Sequence, residues 1–315
     1  NFSGASLNGT INIWVGDASY STFSGVTFGT YSQTYFNNGA YKGVVFDNTT
    51  LNGTLRFSGT DSSSSSWKSA LFNGTFTVSG GAMENANFTG ARFNGTADFS
   101  AGSVNGTTFK DTVFGTNSMT YFRNGTYIGA VFDNALFNGQ VSLNGFGASN
   151  SSWTNVSFNR TFSGVGVSLA GADFTEAQFN GYTSIQGSAQ YADFTRAVFG
   201  ANSETYLSGG TYTGAIFNNA AFNGKMSLDG ISAANSSWQG ASFSGTFSTA
   251  GVDFTDANFT GAIFESGSDS LFASSIVRGA IFDEITVKSG ALLTVNVDAD
   301  GLQMNRSVGR PAAAL

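Results

Sequence analysis

The sequence contains no cysteine and no histidine. The usual ligands and nucleophiles of zinc, haem, iron–sulfur and thiol chemistry are therefore missing. No Ser–His or Cys–His dyad can be assembled either. Proline occurs once, at Pro311, which suits stacked strands because each proline removes a ladder hydrogen bond. Charge is sparse: 13 basic and 20 acidic residues make up 10% of the chain. That scatter of Lys and Arg argues against nucleic-acid binding, and the acids are too dilute to imitate DNA. No run of eighteen apolar residues occurs, so no membrane span is expected. The sequence opens at Asn1 without a basic and apolar leader, which reads as a mature, processed chain.

What the chain has in surplus is glycine, with 42 residues, and phenylalanine, with 32. A hydrophobic share of 41% is too high for disorder. These residues recur in a pentad, a large apolar residue preceded two positions earlier by a small one. Ala86-Asn87-Phe88-Thr89-Gly90 runs into Ala91-Arg92-Phe93-Asn94-Gly95. Ala172-Asp173-Phe174 with Ala177-Gln178-Phe179, and Ala192-Asp193-Phe194 with Ala197-Val198-Phe199, repeat the pair. Val252-Asp253-Phe254, Ala257-Asn258-Phe259 and Ala262-Ile263-Phe264 make a run of three.

First members of the pairs fall at Phe2, Phe23, Phe46, Trp67, Phe88, Phe109, Phe132, Trp153, Phe174, Phe194, Phe217, Trp238 and Phe254. Most steps are about 21 residues, with longer steps at intervals and one short step near the end. Four such units form a block of about 86 residues, so that Trp67, Trp153 and Trp238 are equivalent, each after Ser-Ser. A helical reading fails, since each interior Gly costs roughly 1 kcal/mol relative to Ala. A period of five also matches neither 3.6 nor 2. It does match a coil whose sides are short strands and whose corners are turns. Each side then points one large residue inward, and coils stack by main-chain hydrogen bonds.

The pentads resemble the pentapeptide-repeat family over Asn85–Phe99, Gly171–Asn180, Tyr191–Gly200 and Gly251–Glu265. The resemblance implies a four-sided, right-handed parallel β-helix. Family coils take twenty residues, so the longer coils here imply a bulge or a wider corner. The expected fold is all-β: a single β-solenoid of about 14 coils over residues 1–290, then a C-terminal strand and tail over 291–315.

Asn-Gly pairs such as Asn73-Gly74 and Asn94-Gly95 follow the second Phe of a pair. They are expected to turn a corner through positive φ, with stacked Asn side chains bonding along the axis. A third side alternates, placing Phe76, Val78, Val141, Leu143, Met226 and Leu228 inward. The fourth side, rich in Gly, Ser and Asn, is expected to hold the variation in coil length. In the longer coils Tyr35, Tyr121 and Tyr206 point outward, while Tyr41, Tyr127 and Tyr212 point inward.

For function, the absent chemistries and the lack of clustered acids point away from an enzyme and from any cofactor or metal. Asp98, Asp173, Asp193 and Asp253 share one pentad position, which explains their common face without catalysis. Asn-X-Ser/Thr sequons mark Asn52, Asn73, Asn87, Asn94 and Asn258 as candidate glycosylation sites. The outward Tyr35, Tyr121 and Tyr206 are candidate surface contacts for sugars. Solenoid ends normally need caps, and the repeat starts at Phe2. That points to head-to-tail assembly of a homopolymer through Phe2, Leu7, Leu292, Leu293, Val295 and Val297. The leading expectation is a structural subunit of an extracellular filament or surface layer. The alternative is a carbohydrate-binding adhesin or fibre segment carrying covalent glycans or gripping surface polysaccharide.

Overall fold

The computed structural model describes residues 1–305 except 15, 101 and 299; the expected tail at Pro311 to Leu315 lies outside them. Every regular element among the described residues is a β-strand, and strand pairing is parallel throughout. The chain forms a β-solenoid of about 14 turns. Its contacts define two units, Asn1–Thr161 and Phe162–Leu315.

One coil of the first unit shows the plan. Ala82 and then Asn87 make single parallel bridges to the coils on either side. The two-residue strand Arg92–Phe93 and the five-residue strand Thr96–Ser100 follow. These four ladders are the four sides of the coil. Met83, Phe88, Phe93 and Phe99 are the large inward residues, all fully buried. Between the pentad sides, Ala91 N–H donates to Phe88 O at 2.9 Å, and the third residue of that turn, Gly90, has φ +68°. That is a type II turn, which requires a left-handed residue at its third position.

At this corner the left-handed residues form a column, one per coil, and the preceding corner carries a second through Ser64, Asn85 and Gly106. In the first unit the former runs Gly4, Gly25, Asn48, Ser69, Gly90, Asp111, Asn134 and Asn155; in the second, Glu176, Arg196, Asn219, Gly240, Gly261 and Glu284. The Asn-Gly corners differ from the expectation, because Asn73, Gly74, Asn94 and Gly95 do not have positive φ. Glycine is required there by crowding. A Cβ on Gly74 would lie 1.8 Å from Gly53 O, and one on Gly95 would lie 2.0 Å from Gly74 O. The asparagine stack does form: Asn73 Nδ2 donates to Asn52 Oδ1 and Asn94 Nδ2 to Asn73 Oδ1, both at 2.8 Å.

The two-residue insertions of the longer coils fall at one corner, before the long strand, not along the Gly-, Ser- and Asn-rich side; the one 20-residue coil instead lacks a residue opposite a bulge at Val165–Val167. Phe72 and Phe76, on the short and long strands, are four positions apart, whereas Phe28 and Thr34 are six apart. The two added residues make a turn closed by Ser32 N–H on Gly29 O at 3.0 Å. Ser118 on Gly115 O and Ser203 on Gly200 O repeat it at 2.9 and 2.8 Å.

Aromatic rings stack from coil to coil in the interior. On the second side Phe23 lies 4.7 Å from Phe46, and Phe132 lies 3.8 Å from Trp153. The side of the two-residue strands stacks Phe72 on Phe93 at 4.3 Å and Phe93 on Phe114 at 5.1 Å. In the second unit Phe217 stacks on Trp238 at 4.1 Å, and Trp238 on Phe259 at 5.5 Å. The column therefore continues through Phe259, not Phe254. Phe254 sits one side earlier, edge-on to Phe259, and the short final step disappears. Along the long strands Phe36, Phe57, Phe76, Phe99 and Phe122 fill the core of the first unit, whereas in the second Ile185, Leu207 and Leu228 occupy three successive coils before Phe247 and Phe272. A small apolar cavity beside Ile185, Leu207, Phe174 and Phe194 marks the smaller volume.

Candidate functional site

In each five-residue strand the second and fourth side chains face the core, so the first, third and fifth form an outward grid on the long sheet. Tyr35 occupies a central outward position, paired with Asn12 on one neighbouring strand and Arg56 on the other. Trp14 ends the adjacent strand, paired with Asn37, and is 68% exposed. Tyr35 OH donates to Gln33 Oε1 at 3.1 Å. Two aromatic side chains thus sit on adjacent strands among the amides of Asn12, Gln33 and Asn37. Nothing in the repeat marks Trp14, which falls in the least regular coil, and the sequence reading missed it.

Tyr121 lies four strands from Tyr35, about 19 Å at the parallel-strand spacing. The Arg123 guanidinium covers its ring at 3.8 Å and reaches Asp98 at 4.0 Å, so one face of Tyr121 is occupied by a cation–π contact. In the second unit Tyr206 lies 5.7 Å from Tyr182, which is 45% exposed. Tyr206 OH donates to Glu204 Oε2 at 3.1 Å and accepts from Lys225 Nζ at 2.8 Å. That hydrogen bond from Lys225 favours its charged form and raises its pKa. The result is an aromatic pair rimmed by one acid and one base. Nothing in the pentads singles out Tyr182.

The candidate acids do not converge. Asp173, Asp193 and Asp253 each accept the backbone N–H two residues on, at 2.8, 2.8 and 2.9 Å. Their carboxylates brace pentad turns, as Asn87 and Asn258 do through Thr89 and Thr260. Among the described residues no cluster of acids could hold a metal ion. Of the sequon asparagines, Asn73 and Asn94 are exposed, while Asn52, Asn87 and Asn258 are half-buried.

At the first coil, Phe2 stacks on Phe23 at 4.8 Å and is 48% exposed; Leu7 pairs with Phe28. At the last, the strand Leu292–Asp298 pairs in parallel with Asp269–Ile276. Leu292 is exposed, and Leu293, Val295 and Val297 are half-buried. No helix among the described residues is long and apolar enough to cross a membrane.

No family model matches the chain, and no curated protein matches it. Solved structures similar to it include HetL, a pentapeptide repeat protein involved in heterocyst differentiation regulation from the cyanobacterium Nostoc. HetL is 14% identical, with 86% of this chain and 88% of that one covered and a TM-score of 0.23. A TibC-catalysed hyper-glycosylated TibA fragment is 16% identical over 98% of this chain and 99% of its own, with a TM-score of 0.39. A pentapeptide repeat protein from the Arabidopsis thaliana thylakoid lumen is 22% identical over 38% of this chain and 68% of its own, at a TM-score of 0.18. Pentapeptide repeat proteins are thus among the solved structures this chain is similar to, as its pentads imply.

Proposed function

We propose that the chain is a non-enzymatic structural solenoid whose long-strand face binds polysaccharide. The observation that carries this reading is the pairing of outward-facing aromatics on neighbouring strands, Trp14 and Tyr182 exposed and Tyr35 and Tyr206 half-buried, with hydroxyl-matching side chains around them. Trp14 and Tyr35 stand among three amides; Tyr182 and Tyr206 stand beside Glu204 and Lys225. Aromatic faces stack on the C–H faces of pyranose rings, and amide or charged groups bond the ring hydroxyls. Walls and matrices of extended polysaccharide lie outside the cytoplasm, so the reading implies an extracellular or cell-surface protein. Sequon glycans on Asn52, Asn73, Asn87, Asn94 and Asn258 fit that setting.

Binding of the full chain to arrayed and insoluble polysaccharides tests it. W14A/Y35A and Y182A/Y206A are each expected to weaken retention by about tenfold, or 1.4 kcal/mol. Circular dichroism is expected to stay unchanged, because these side chains point away from the core. Retention unaffected by both variants would overturn the reading.

A second reading, end-to-end assembly into a filament or layer, is favoured by the strand Leu292–Asp298. Among the described residues it has one strand neighbour, and its Leu292 is 44% exposed. A strand of a second copy adding there would be β-augmentation, and a contact that does not close propagates. Negative-stain images of concentrated protein distinguish filaments from single particles.

A further inference from the structure

The longer coils carry a polar feature that neither reading uses. Each added turn ends on a serine, and a second hydroxyl follows two residues on: Ser32 and Thr34, Ser118 and Thr120, Ser203 and Thr205, Ser268 and Ser270. All eight residues are buried, none more than 2% exposed. None of the eight hydroxyls has a hydrogen-bond partner among the described residues. Most buried hydroxyls elsewhere are matched. Thr49, Thr107 and Thr112 donate to the carbonyls of Phe23, Met83 and Phe88, and Thr60 bonds Ser62. The other orphaned hydroxyls are Thr183, paired in register with Thr205, and Tyr212.

A buried hydroxyl without a partner carries the whole cost of its lost hydration, and a fault repeated at the same point of every longer coil calls for a ligand. We infer that each longer coil binds one internal water between its two hydroxyls. The two groups share one face of an extended segment, two residues apart, so a single molecule within hydrogen-bond distance of both can bridge them. The carbonyl that closes the turn, such as Gly115 O for Ser118, has a second lone pair to offer, which gives the water about three partners, the usual number for a buried site. Space comes from the side chains themselves. Thr34 is flanked in register by Ile11 and Leu55 and Ser270 by Phe247 and Leu293, so in these two coils the second hydroxyl residue stands where its neighbours carry a larger apolar one. The next coil offers glycine against the serine: a Cβ on Gly53, Gly139 or Gly224 would come within 2.4 to 2.6 Å of the serine Oγ.

Two measurements on the full chain test this. A crystal structure that resolves ordered water is expected to show a peak within hydrogen-bond distance of both Ser118 Oγ and Thr120 Oγ1, repeated at the other three pairs. Thr120→Val removes one ligand of a bound water while keeping shape, and is expected to lower the unfolding midpoint. If the hydroxyls are dry, the same change removes an unpaired buried group and raises the midpoint. An empty site at Ser118 and Thr120, or a raised midpoint, overturns the inference; should the variant fail to fold, the wild-type density decides.

Discussion

The indole Nε1 of Trp67 donates to Ser65 Oγ at 2.8 Å, inside a core where both side chains are buried. Trp153 repeats the bond with Ser151 at 2.7 Å, and Trp238 with Ser236 at 2.8 Å. Where the same inward ring is phenylalanine, the residue two earlier is most often alanine, as at Ala86, Ala130, Ala192 and Ala257, with Ser21, Val44 and Thr107 before Phe23, Phe46 and Phe109. Tryptophan brings a donor into an apolar column, and serine at the small corner position supplies its acceptor.

Ser65→Ala is therefore expected to cost about 1–3 kcal/mol, the range for leaving a buried donor unpaired. Adding Trp67→Phe, which removes the donor, is expected to recover part of that loss. Chemical denaturation of the two single variants and the double variant gives the coupling energy. Additive losses would mean that the bond contributes nothing.

The three inward tyrosines separate in the same way. Tyr41 OH donates to Ile13 O at 3.2 Å, and Tyr127 OH to Phe99 O. Tyr212 OH has no partner among the described residues. Tyr127→Phe is expected to destabilise by about 1 kcal/mol, whereas Tyr212→Phe is expected to be neutral or stabilising. Equal effects in thermal unfolding would contradict the assignment.

Alkaline pH acts on the same pair. Burial raises the pKa of Tyr127, helped by the nearby charge of Asp98, and burial alone raises that of Tyr212. In the unfolded chain tyrosine ionises near pH 10. Above that the unfolded state has lost protons that the folded state keeps, so stability is level below about pH 10 and falls beyond it. Phenolate absorbance from these two residues is expected to appear together with unfolding, not before it.

Glycine is needed for two different reasons, which substitution separates. At Ser69, with φ 55°, a change to Gly removes left-handed strain and is expected to stabilise by up to about 1 kcal/mol. Gly74→Ala places a methyl group on the carbonyl of Gly53, and is expected to destabilise clearly although its φ is ordinary. Urea midpoints moving in the same direction for both would reject the distinction.

The pentads made the coil legible because sidedness repeats: Phe88, Phe93 and their equivalents can be counted before any coordinate is known. What stayed hidden depended on contacts between coils. Asn73-Gly74 looks like a left-handed turn in isolation, and the reason for its glycine is a carbonyl 21 residues away. Conversely, Glu176 and Arg196 adopt positive φ without any local hint, held there by the turns on either side. Phe254 was misplaced because three consecutive pentads offer two starting points, and only the stacking of Trp238 on Phe259 fixes the phase. The outward tyrosines were readable from alternation. Their partners Trp14, Tyr182 and Lys225 were not, because neighbouring strands set them side by side across 19 to 24 residues of sequence.

The corner that accepts two added residues has a practical meaning. Phe28 and Leu51, on either side of one such insertion, remain in register on the short strand, and Phe36 and Phe57 remain in register on the long one. The joint at Gly29–Ser32 absorbs extra chain without moving any ladder, much as a dovetail tolerates a longer tail outside the joint. Tyr31, at its tip, is almost fully exposed. A foreign loop or binding epitope spliced at Tyr31 or Asn117 would be displayed without disturbing the coils that carry it.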